Sequence, residues 1–135
     1  MTDRLGHLME GKRAHLVLPL PPSDNVYYGK PRGLRHKYVT KKGRVFKHEV
    51  AVIVYDKGLR GRFPRGKLAV RVVLHMSVTA DVTNRAKALF DALQDAELIR
   101  NDNQIDDVRM IRGHPVKGGR CEVTIWRMQH ATSDV

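Results

Sequence analysis

Acidic residues gather between positions 81 and 107 of a chain that is otherwise strongly basic. Asp81 follows a predicted strand directly, Lys87 lies about one turn inside the next predicted helix, and Asp102 lies in the loop after that helix. Carboxylate oxygens are the ligands that Mg²⁺ prefers, and a bound Mg²⁺ can activate water and neutralise a phosphate. Carboxylates within a basic surface are therefore typical of a metal-dependent nuclease, whose cations hold the phosphates of the substrate.

The spacing of these acids has two interpretations. If the backbone stays extended after the strand, side chains 81 and 83 share one face. A sheet could then bring Asp81 and Asp102 together at one edge, where two carboxylates hold Mg²⁺ and waters complete the octahedron. The alternative is that these acids are solvated turn residues and helix caps, and spacing alone leaves both interpretations open.

Lys87 also has two interpretations. As a catalytic residue it would contact the scissile phosphate or stabilise the charge that develops in the transition state. As a surface residue it would pair with Asp91 at i+4, which stabilises an exposed helix by about 0.2–0.5 kcal/mol. Spacing alone favours the surface interpretation.

A cationic segment from Tyr27 to Arg44 is predicted to be a loop or an irregular hairpin. Tyr27, Tyr28 and Tyr38 are interleaved with its cations, so phosphates can meet the charges while exposed bases stack on the rings. Like charges crowded into one loop repel each other, which favours nucleic-acid contact over a merely solvated loop. The predicted DNA contacts in this segment are Lys30, Arg32, Arg35, Lys37, Lys41, Lys42 and Arg44. Two further predicted contacts, Lys117 and Arg120, flank a glycine-rich turn, and they could equally be residues that keep the turn soluble.

The composition favours a polyanionic partner. The 135 residues include 25 Lys and Arg against 14 Asp and Glu, which gives a formal net charge of +11. Ribosomal and membrane-surface proteins share this balance, so charge alone does not identify an enzyme. The single cysteine, Cys121, excludes an intramolecular disulfide and a cysteine-based zinc cluster, and it is predicted to be a small core or strand residue. The histidines show no metal-ligand spacing, and the chain has no phosphate-binding glycine loop.

The segments that must position these residues predict one small α/β domain with a mixed β-sheet and two packed helices. Residues 1–13 are predicted to be a flexible arm, residues 14–128 the domain and residues 129–135 a frayed tail. Thr83 is the predicted N-cap of the second helix. The predicted elements are strands at 15–20, 68–79, 105–112 and 120–128, with helices at 45–55 and 84–96.

Hydropathy predicts no membrane segment. No apolar run approaches the ~20 residues of a membrane-spanning helix, and the N-terminus lacks the apolar core of a signal peptide. We therefore expect a cytoplasmic protein with no membrane partner.

Several short motifs in one order resemble the RusA family of Holliday junction resolvases, the crossover junction endodeoxyribonucleases. The resemblance runs from about residue 16 to residue 126, and the order of motifs is far more specific than any one of them. The matching motifs are LPLPPSDN at 18–25 with the tyrosines at 27 and 28, TKKGR at 40–44, DVTNRAKALFDAL at 81–93, NDNQI at 101–105 and PVKGGR at 115–120.

This resemblance implies a homodimeric α/β endonuclease that binds four-way DNA junctions and makes paired Mg²⁺-dependent cuts near the crossover. Mn²⁺ is expected to substitute for Mg²⁺. A two-fold dimer suits a junction that needs two symmetric incisions. The family's metal-binding acids fall on Asp81, position 83 and Asp102, and its catalytic lysine falls on Lys87.

The chain departs from the family pattern at position 83. The family motif has aspartate there, whereas this chain has Thr83, whose hydroxyl is a poorer Mg²⁺ ligand than a carboxylate. Asn84, Asp106 or Asp107 could compensate for the missing charge. Three hypotheses therefore stay open: a junction-cutting nuclease, a junction-binding protein that does not cut, and an RNA-binding or ribosome-associated basic protein.

Overall fold

A computed structural model describes residues 13–29 and 38–129, which form a mixed sheet with helices packed against it. Four of its strands pair in the order β1-β6-β4-β5, with β4 and β5 parallel and the other neighbours antiparallel. The short strands β2 and β3 form a separate antiparallel pair. The strands are β1 (Arg13–Leu18), β2 (Tyr28–Gly29), β3 (Tyr38–Val39), β4 (Leu68–His75), β5 (Ile105–Gly113) and β6 (Arg120–Arg127).

Three α-helices accompany the sheet, and two of them are long enough to contribute to its core. They are α1 (Asp24–Tyr27), α2 (Lys41–Asp56) and α3 (Ala86–Asp95), with single 3₁₀ turns at Thr83–Arg85 and Asp102–Gln104. The predicted mixed sheet with two packed helices is confirmed.

Alternation along the strands builds the hydrophobic core. On β4, Leu68, Val70, Val72 and Leu74 are buried and belong to the same apolar cluster as the stripes of α2 and α3. The alternating residues of β1 and β6 join the same cluster, because successive strand side chains point to opposite faces. Cys121 is fully buried on β6, as predicted, and burial raises the pKa of its thiol to about 12. The strands and helices thus fix one face of the sheet against α2 and α3.

Helix α2 begins earlier than the sequence predicts. Thr40 is its N-cap, with an extended backbone and a hydroxyl oxygen that accepts a hydrogen bond from the Gly43 N–H at 3.2 Å. The prediction that the cationic loop continues to residue 44 is therefore wrong. Three cations that were predicted to lie in the loop instead lie in the first turn of α2: Lys41, Lys42 and Arg44.

Other element boundaries differ by a few residues. The strand predicted over 68–79 ends at His75, and the one predicted over 15–20 runs from Arg13 to Leu18, so residue 13 does not belong to an arm. Most of the predicted arm and tail, residues 1–12 and 130–135, lies outside the described residues.

Gly43 gives a stability prediction that runs against helix propensity. A Cβ at this buried first-turn position would lie 2.7 Å from Val39 Cγ1 and 2.8 Å from Tyr27 Cδ1. Alanine normally favours a helix over glycine, but here it must displace a packed ring, so we expect Gly43→Ala to lower the free energy of unfolding by about 1–3 kcal/mol. Urea unfolding measures this change. The exposed neighbour Val45→Ala serves as the control, and a Gly43→Ala protein as stable as the parent would refute the close packing.

Candidate functional site

The turn that carries Asp81 is held by an arginine from the neighbouring strand. Arg112 on β5 donates from its two terminal nitrogens to the carbonyls of Ser77 and Ala80, each at 2.5 Å. Sequence patterns gave no sign of this role, because the two bonds span 35 and 32 residues. Arg112 therefore fixes the segment between β4 and Asp81.

Asp81 and Thr83 bind each other directly. Asp81 Oδ1 accepts hydrogen bonds from the Thr83 N–H and from the Thr83 hydroxyl, both at 3.0 Å. The prediction that Thr83 caps the second helix is wrong: Thr83 lies inside a 3₁₀ turn, and α3 itself begins at Ala86 with Arg85 as its N-cap. Both side chains are exposed, so the Asp81 carboxylate faces solvent at the entrance to α3.

Lys87 is exposed in the first turn of α3. The surface interpretation paired it with Asp91, and that pairing is wrong: over residues 13–29 and 38–129, no carboxylate oxygen lies within salt-bridge distance of its ammonium. Asp91 instead accepts a hydrogen bond from the Tyr27 hydroxyl and lies 3.9 Å from Lys47 Nζ. The ammonium of Lys87 is therefore available to an incoming anion.

Tyr27 is a structural residue rather than a stacking platform. Its side chain is fully buried, so the expectation that its ring stacks on a DNA base is wrong. Burial and then the hydrogen bond to Asp91 raise the pKa of its hydroxyl far above the ordinary value. Tyr28 is half-buried and Tyr38 is exposed, so those two rings alone of the three remain open to a base.

The buried Tyr27 hydroxyl gives a second stability prediction. Tyr27→Phe leaves the half-buried Asp91 carboxylate with one partner fewer, and we expect the free energy of unfolding to fall by about 1.5–3 kcal/mol. Thermal and urea unfolding measure the loss. Tyr55→Phe is the matched control, because the Tyr55 side chain is 70% exposed. Equal stability of the two variants would show that the Asp91 bond contributes nothing.

Asp102 is held at the other end of α3. Its backbone N–H donates to Gln94 Oε1 at 2.9 Å, and Gln94 belongs to the last turn of the helix. Asn101 and Gln104 form a capping box around it, with Asn101 Oδ1 accepting from the Asn103 N–H at 2.9 Å. The turn is therefore rigid, and its carboxylate-bearing residue is fixed by backbone bonds.

The half-buried Tyr28 hydroxyl lies where several of these charges act together. Burial raises the pKa of Tyr28, the positive charge of Lys87 opposes that rise, and nearby carboxylates add to it. The carboxylates, in order of effect, are those of Asp91, Asp24 and Asp102. The charges of Lys87 and Asp102 therefore both act on the Tyr28 hydroxyl.

The strand pairing alone does not place Asp81 beside Asp102, so their meeting at one edge of the sheet stays a prediction. Strands β4 and β5 are parallel, with Leu68 opposite Ile105 and His75 opposite Gly113. Asp81 follows the carboxyl end of β4, whereas Asp102 precedes the amino end of β5. Both acids therefore lie in the connection between these two strands, which contains α3.

The donor set fits one common mode of Mg²⁺ binding and not another. Throughout residues 13–29 and 38–129, no group of three or more His, Cys, Asp or Glu side chains could hold a metal ion. Mg²⁺ in phosphate-processing sites is usually held by one or two carboxylates, with waters and substrate phosphates completing its octahedron. The exposed Asp81 carboxylate and the neighbouring Thr83 hydroxyl suit that open mode. Asp106 and Asp107 pair with Lys67 and Arg109 instead, at 3.8 and 3.9 Å.

The predicted DNA contacts fall into three groups. Lys30, Arg32, Arg35 and Lys37 lie outside the described residues. The cations of α2 lie in its first turn, where the helix macrodipole is already positive, so an anion bound there would relieve their mutual repulsion. Lys117 is exposed and Arg120 is half-buried beside Glu122, with 3.9 Å between Arg120 Nη2 and Glu122 Oε2.

Over the described ranges, none of the helices has the length and apolar character needed to cross a membrane.

Comparisons with known proteins give the family. A family model described as "Endodeoxyribonuclease RusA" matches residues 19–126. The chain is 35% identical over 115 residues to the crossover junction endodeoxyribonuclease rusA of Enterobacteria phage HK97, covering 84% of this chain and 93% of the relative. It is 37% identical over 120 residues to the corresponding protein of Enterobacteria phage 82, with 84% and 94% covered. It is also 37% identical over 119 residues to that of Escherichia coli strain K12, with 84% and 93% covered. With a mixed α/β sheet and a match across most of its length, this chain belongs to the RusA endodeoxyribonuclease family.

Proposed function

We propose that this chain cuts four-way DNA junctions by paired, Mg²⁺-dependent phosphodiester hydrolysis, in DNA recombination and repair. One observation carries the proposal: an exposed Asp81 carboxylate at the entrance to α3 is followed in the first helical turn by an exposed Lys87, which has no carboxylate partner within residues 13–29 and 38–129. Membership of an endodeoxyribonuclease family supports the reaction class, and the names of the relatives support a crossover junction as substrate.

The residues on and beside α3 have different roles in the proposed reaction. The Asp81 and Asp102 carboxylates would hold the metal, with Thr83 as a weaker neutral ligand. When bound, Mg²⁺ supplies a Lewis acid that lowers the pKa of a water and neutralises phosphate charge. The Lys87 ammonium stabilises the negative charge that builds on the phosphate oxygens in the transition state. Arg112 holds the Asp81 turn in place, so the carboxylate is oriented before DNA arrives.

The DNA-binding surface of the proposed enzyme is cationic and lies outside the catalytic turn. The first turn of α2 and the Lys117–Arg120 segment hold the phosphates of the junction arms. A homodimer would place two such sites on one junction, as paired incisions require. We place the enzyme in the cytoplasm, where bacterial and phage DNA recombine.

Thr83 favours a second candidate function, junction binding without cutting. Its hydroxyl occupies Asp81 Oδ1 at 3.0 Å, so a neutral donor lies where the family motif has a second acid. A hydroxyl brings no negative charge to a divalent cation, and metal affinity falls with the loss of ligand charge. Such a protein would bind junctions with strong salt dependence and yield no product.

Cleavage of a labelled four-way junction, beside a linear duplex of equal length, tests these functions. Reactions contain Mg²⁺, Mn²⁺ or EDTA, and a parallel gel-shift series in EDTA measures binding. Symmetric nicks that require a divalent cation and occur only on the junction support the nuclease. Tight junction binding without product supports the second candidate. Equal affinity for junction and duplex overturns both and leaves a general nucleic-acid-binding protein.

Asp102 provides a prediction about the metal itself. If its carboxylate holds the same Mg²⁺ as Asp81, Asp102→Asn should raise the Mg²⁺ concentration for half-maximal cutting by roughly tenfold or more. The backbone bond from Asp102 to Gln94 is unaffected by this change, so the turn should keep its shape. A Mg²⁺ titration of initial rates measures the shift. An unchanged midpoint, with Asp106→Asn as the matched variant, would remove Asp102 from the metal site.

A further inference from the structure

His75 at the end of β4 is a buried titratable group that the proposed catalytic site does not use. It is 4% exposed, and both of its ring nitrogens have partners. Its Nδ1 lies 2.9 Å from the carbonyl oxygen of His114, and its Nε2 lies 2.6 Å from Glu122 Oε2. The partners belong to different segments, because His114 opens the loop formed by residues 114–119 and Glu122 lies on β6.

Both partners accept hydrogen bonds and neither is placed to donate one. A backbone carbonyl has no proton to give, and an ionised carboxylate is an acceptor only. The hydrogen bond from His75 is the largest of the influences that hold the pKa of Glu122 below its ordinary value, so this carboxylate is ionised at neutral pH. Each ring nitrogen of His75 therefore faces an acceptor, and a ring that donates to both is an imidazolium.

The surroundings leave the ring little freedom to choose other partners. A Cβ at Gly113 would lie 2.6 Å from His75 Nδ1 and 2.9 Å from Val73 Cγ1, so only glycine allows β5 to pass this close. The ring of His114 packs edge-on against His75, with 5.0 Å between the centroids. His75 therefore connects the start of the 114–119 loop to β6 by two short bonds in a closed space.

The loop that His75 holds carries two of the predicted phosphate contacts. Lys117 is exposed within the loop, and Arg120 follows it and lies near the same Glu122 that accepts from His75. The loop ends in a tight turn, with Gly118 and Gly119 at φ of 82° and 78°. A Cβ at Gly119 would lie 3.0 Å from Leu20, so the turn is also packed against the chain after β1.

We propose that His75 is a positioning residue for DNA: as a buried imidazolium it fixes the 114–119 loop so that Lys117 and Arg120 meet the phosphates together. This inference rests on the proposed junction binding for its role, though not for the charge of the ring. Loss of the Nε2 proton would set a lone pair against a carboxylate oxygen 2.6 Å away, and the two groups would separate. The loop would then lose its hold on β6.

The charges around His75 determine the direction of the pH effect. Glu122 and Arg120 face it from β6, His114 from the loop, and His15 of β1 lies 4.0 Å from Glu122 Oε1. Because the pKa of Glu122 is lowered in the folded protein, the pair's stabilisation is present above the ordinary carboxyl pKa and is lost as pH falls through the lowered value.

Two measurements on the full chain test the inference. The first is the ¹⁵N spectrum of the imidazole of His75, assigned with His75→Gln, in the absence of DNA. Two protonated nitrogens at about pH 7 are expected, since both face acceptors. A neutral ring at that pH would overturn the proposal even if the chain never bound a junction.

The second measurement is junction affinity in EDTA as a function of salt, for the parent and for His75→Gln. Releasing two phosphate contacts should reduce the slope of log K against log salt by about 2 in His75→Gln. The glutamine amide cannot donate to two acceptors on opposite sides, so the loop loses its hold on β6. His15→Gln, which removes the exposed neighbour of Glu122, should behave as the parent does.

The outcomes separate the two proposals. A doubly protonated ring in a chain with no junction affinity would refute the proposed function and leave the buried imidazolium as a structural clamp without a DNA role. A junction-binding chain whose salt slope is the same in His75→Gln as in the parent would overturn the positioning role. A His75→Gln protein that fails to fold still leaves the parent's ring spectrum as a test.

Discussion

Asp81→Asn is expected to reduce junction cutting by roughly 1,000-fold while leaving junction affinity unchanged or slightly tighter. Asparagine has the shape of aspartate, and its Oδ1 can still accept from the Thr83 N–H, so the turn that enters α3 should keep its form. The change removes only the negative charge, which is what a divalent cation requires of this side chain. Removing a negative charge beside bound phosphates cannot weaken the electrostatic part of DNA binding.

The measurement combines single-turnover cleavage in Mg²⁺ with gel-shift affinity in EDTA on the same junction. Asp56→Asn is the matched control, since Asp56 is exposed at the end of α2 and belongs to no part of the site. A parental rate in Asp81→Asn would mean that this carboxylate does not hold the metal. A parallel fall in rate and affinity would instead indicate damage to the DNA-binding surface.

Thr83→Asp is expected to have the second largest effect and in the opposite direction, raising the rate in limiting Mg²⁺ by roughly 100-fold. The parent places a hydroxyl 3.0 Å from Asp81 Oδ1, and the substitution replaces that neutral donor by a second carboxylate. Two carboxylates at this separation repel each other, so each favours a bound cation. The variant should therefore bind Mg²⁺ more tightly than the parent does.

Stability without DNA gives an independent readout of the same change. With EDTA present, Thr83→Asp should unfold at a lower temperature than the parent because of the repulsion, and Mg²⁺ should restore it. Thr83→Val, which lacks both hydroxyl and charge, distinguishes a lost hydrogen bond from a gained carboxylate. If Thr83→Asp gains neither cutting nor Mg²⁺-dependent stability, threonine is not what limits this site.

The parts of the fold that periodicity records were predictable. The alternation along β6 and the apolar stripe of α3 gave those elements almost at their observed limits, because burial on one face imposes a period of two or 3.6 residues. The start of α2 was missed since Gly43 and three cations resemble a loop. The helix starts at Lys41 because Thr40 caps it and because Gly43 fits in the small space beside the Tyr27 ring.

The site was predictable where it is local and was missed where it depends on distant residues. Lys87 and its helix follow from spacing, whereas the Tyr27–Asp91 bond spans 64 residues and carries no sequence pattern. The meeting of Asp81 and Asp102 stays a prediction, because both lie in the connection between β4 and β5 and strand register does not place their side chains. The hydrogen bonds of His75 could not be predicted, because its partners lie 39 and 47 residues away and form no sequence motif with it.

The position of β6 between β1 and β4 has a consequence for synthesis on the ribosome. Strand β1 pairs only with β6, and β4 pairs with it along its whole length, so the sheet lacks its central member until residue 127 has emerged. Contacts of such large sequence separation form late, because the intervening chain must first be ordered. The sheet of a nascent chain would thus stay incomplete until residues 120–127 have left the ribosome.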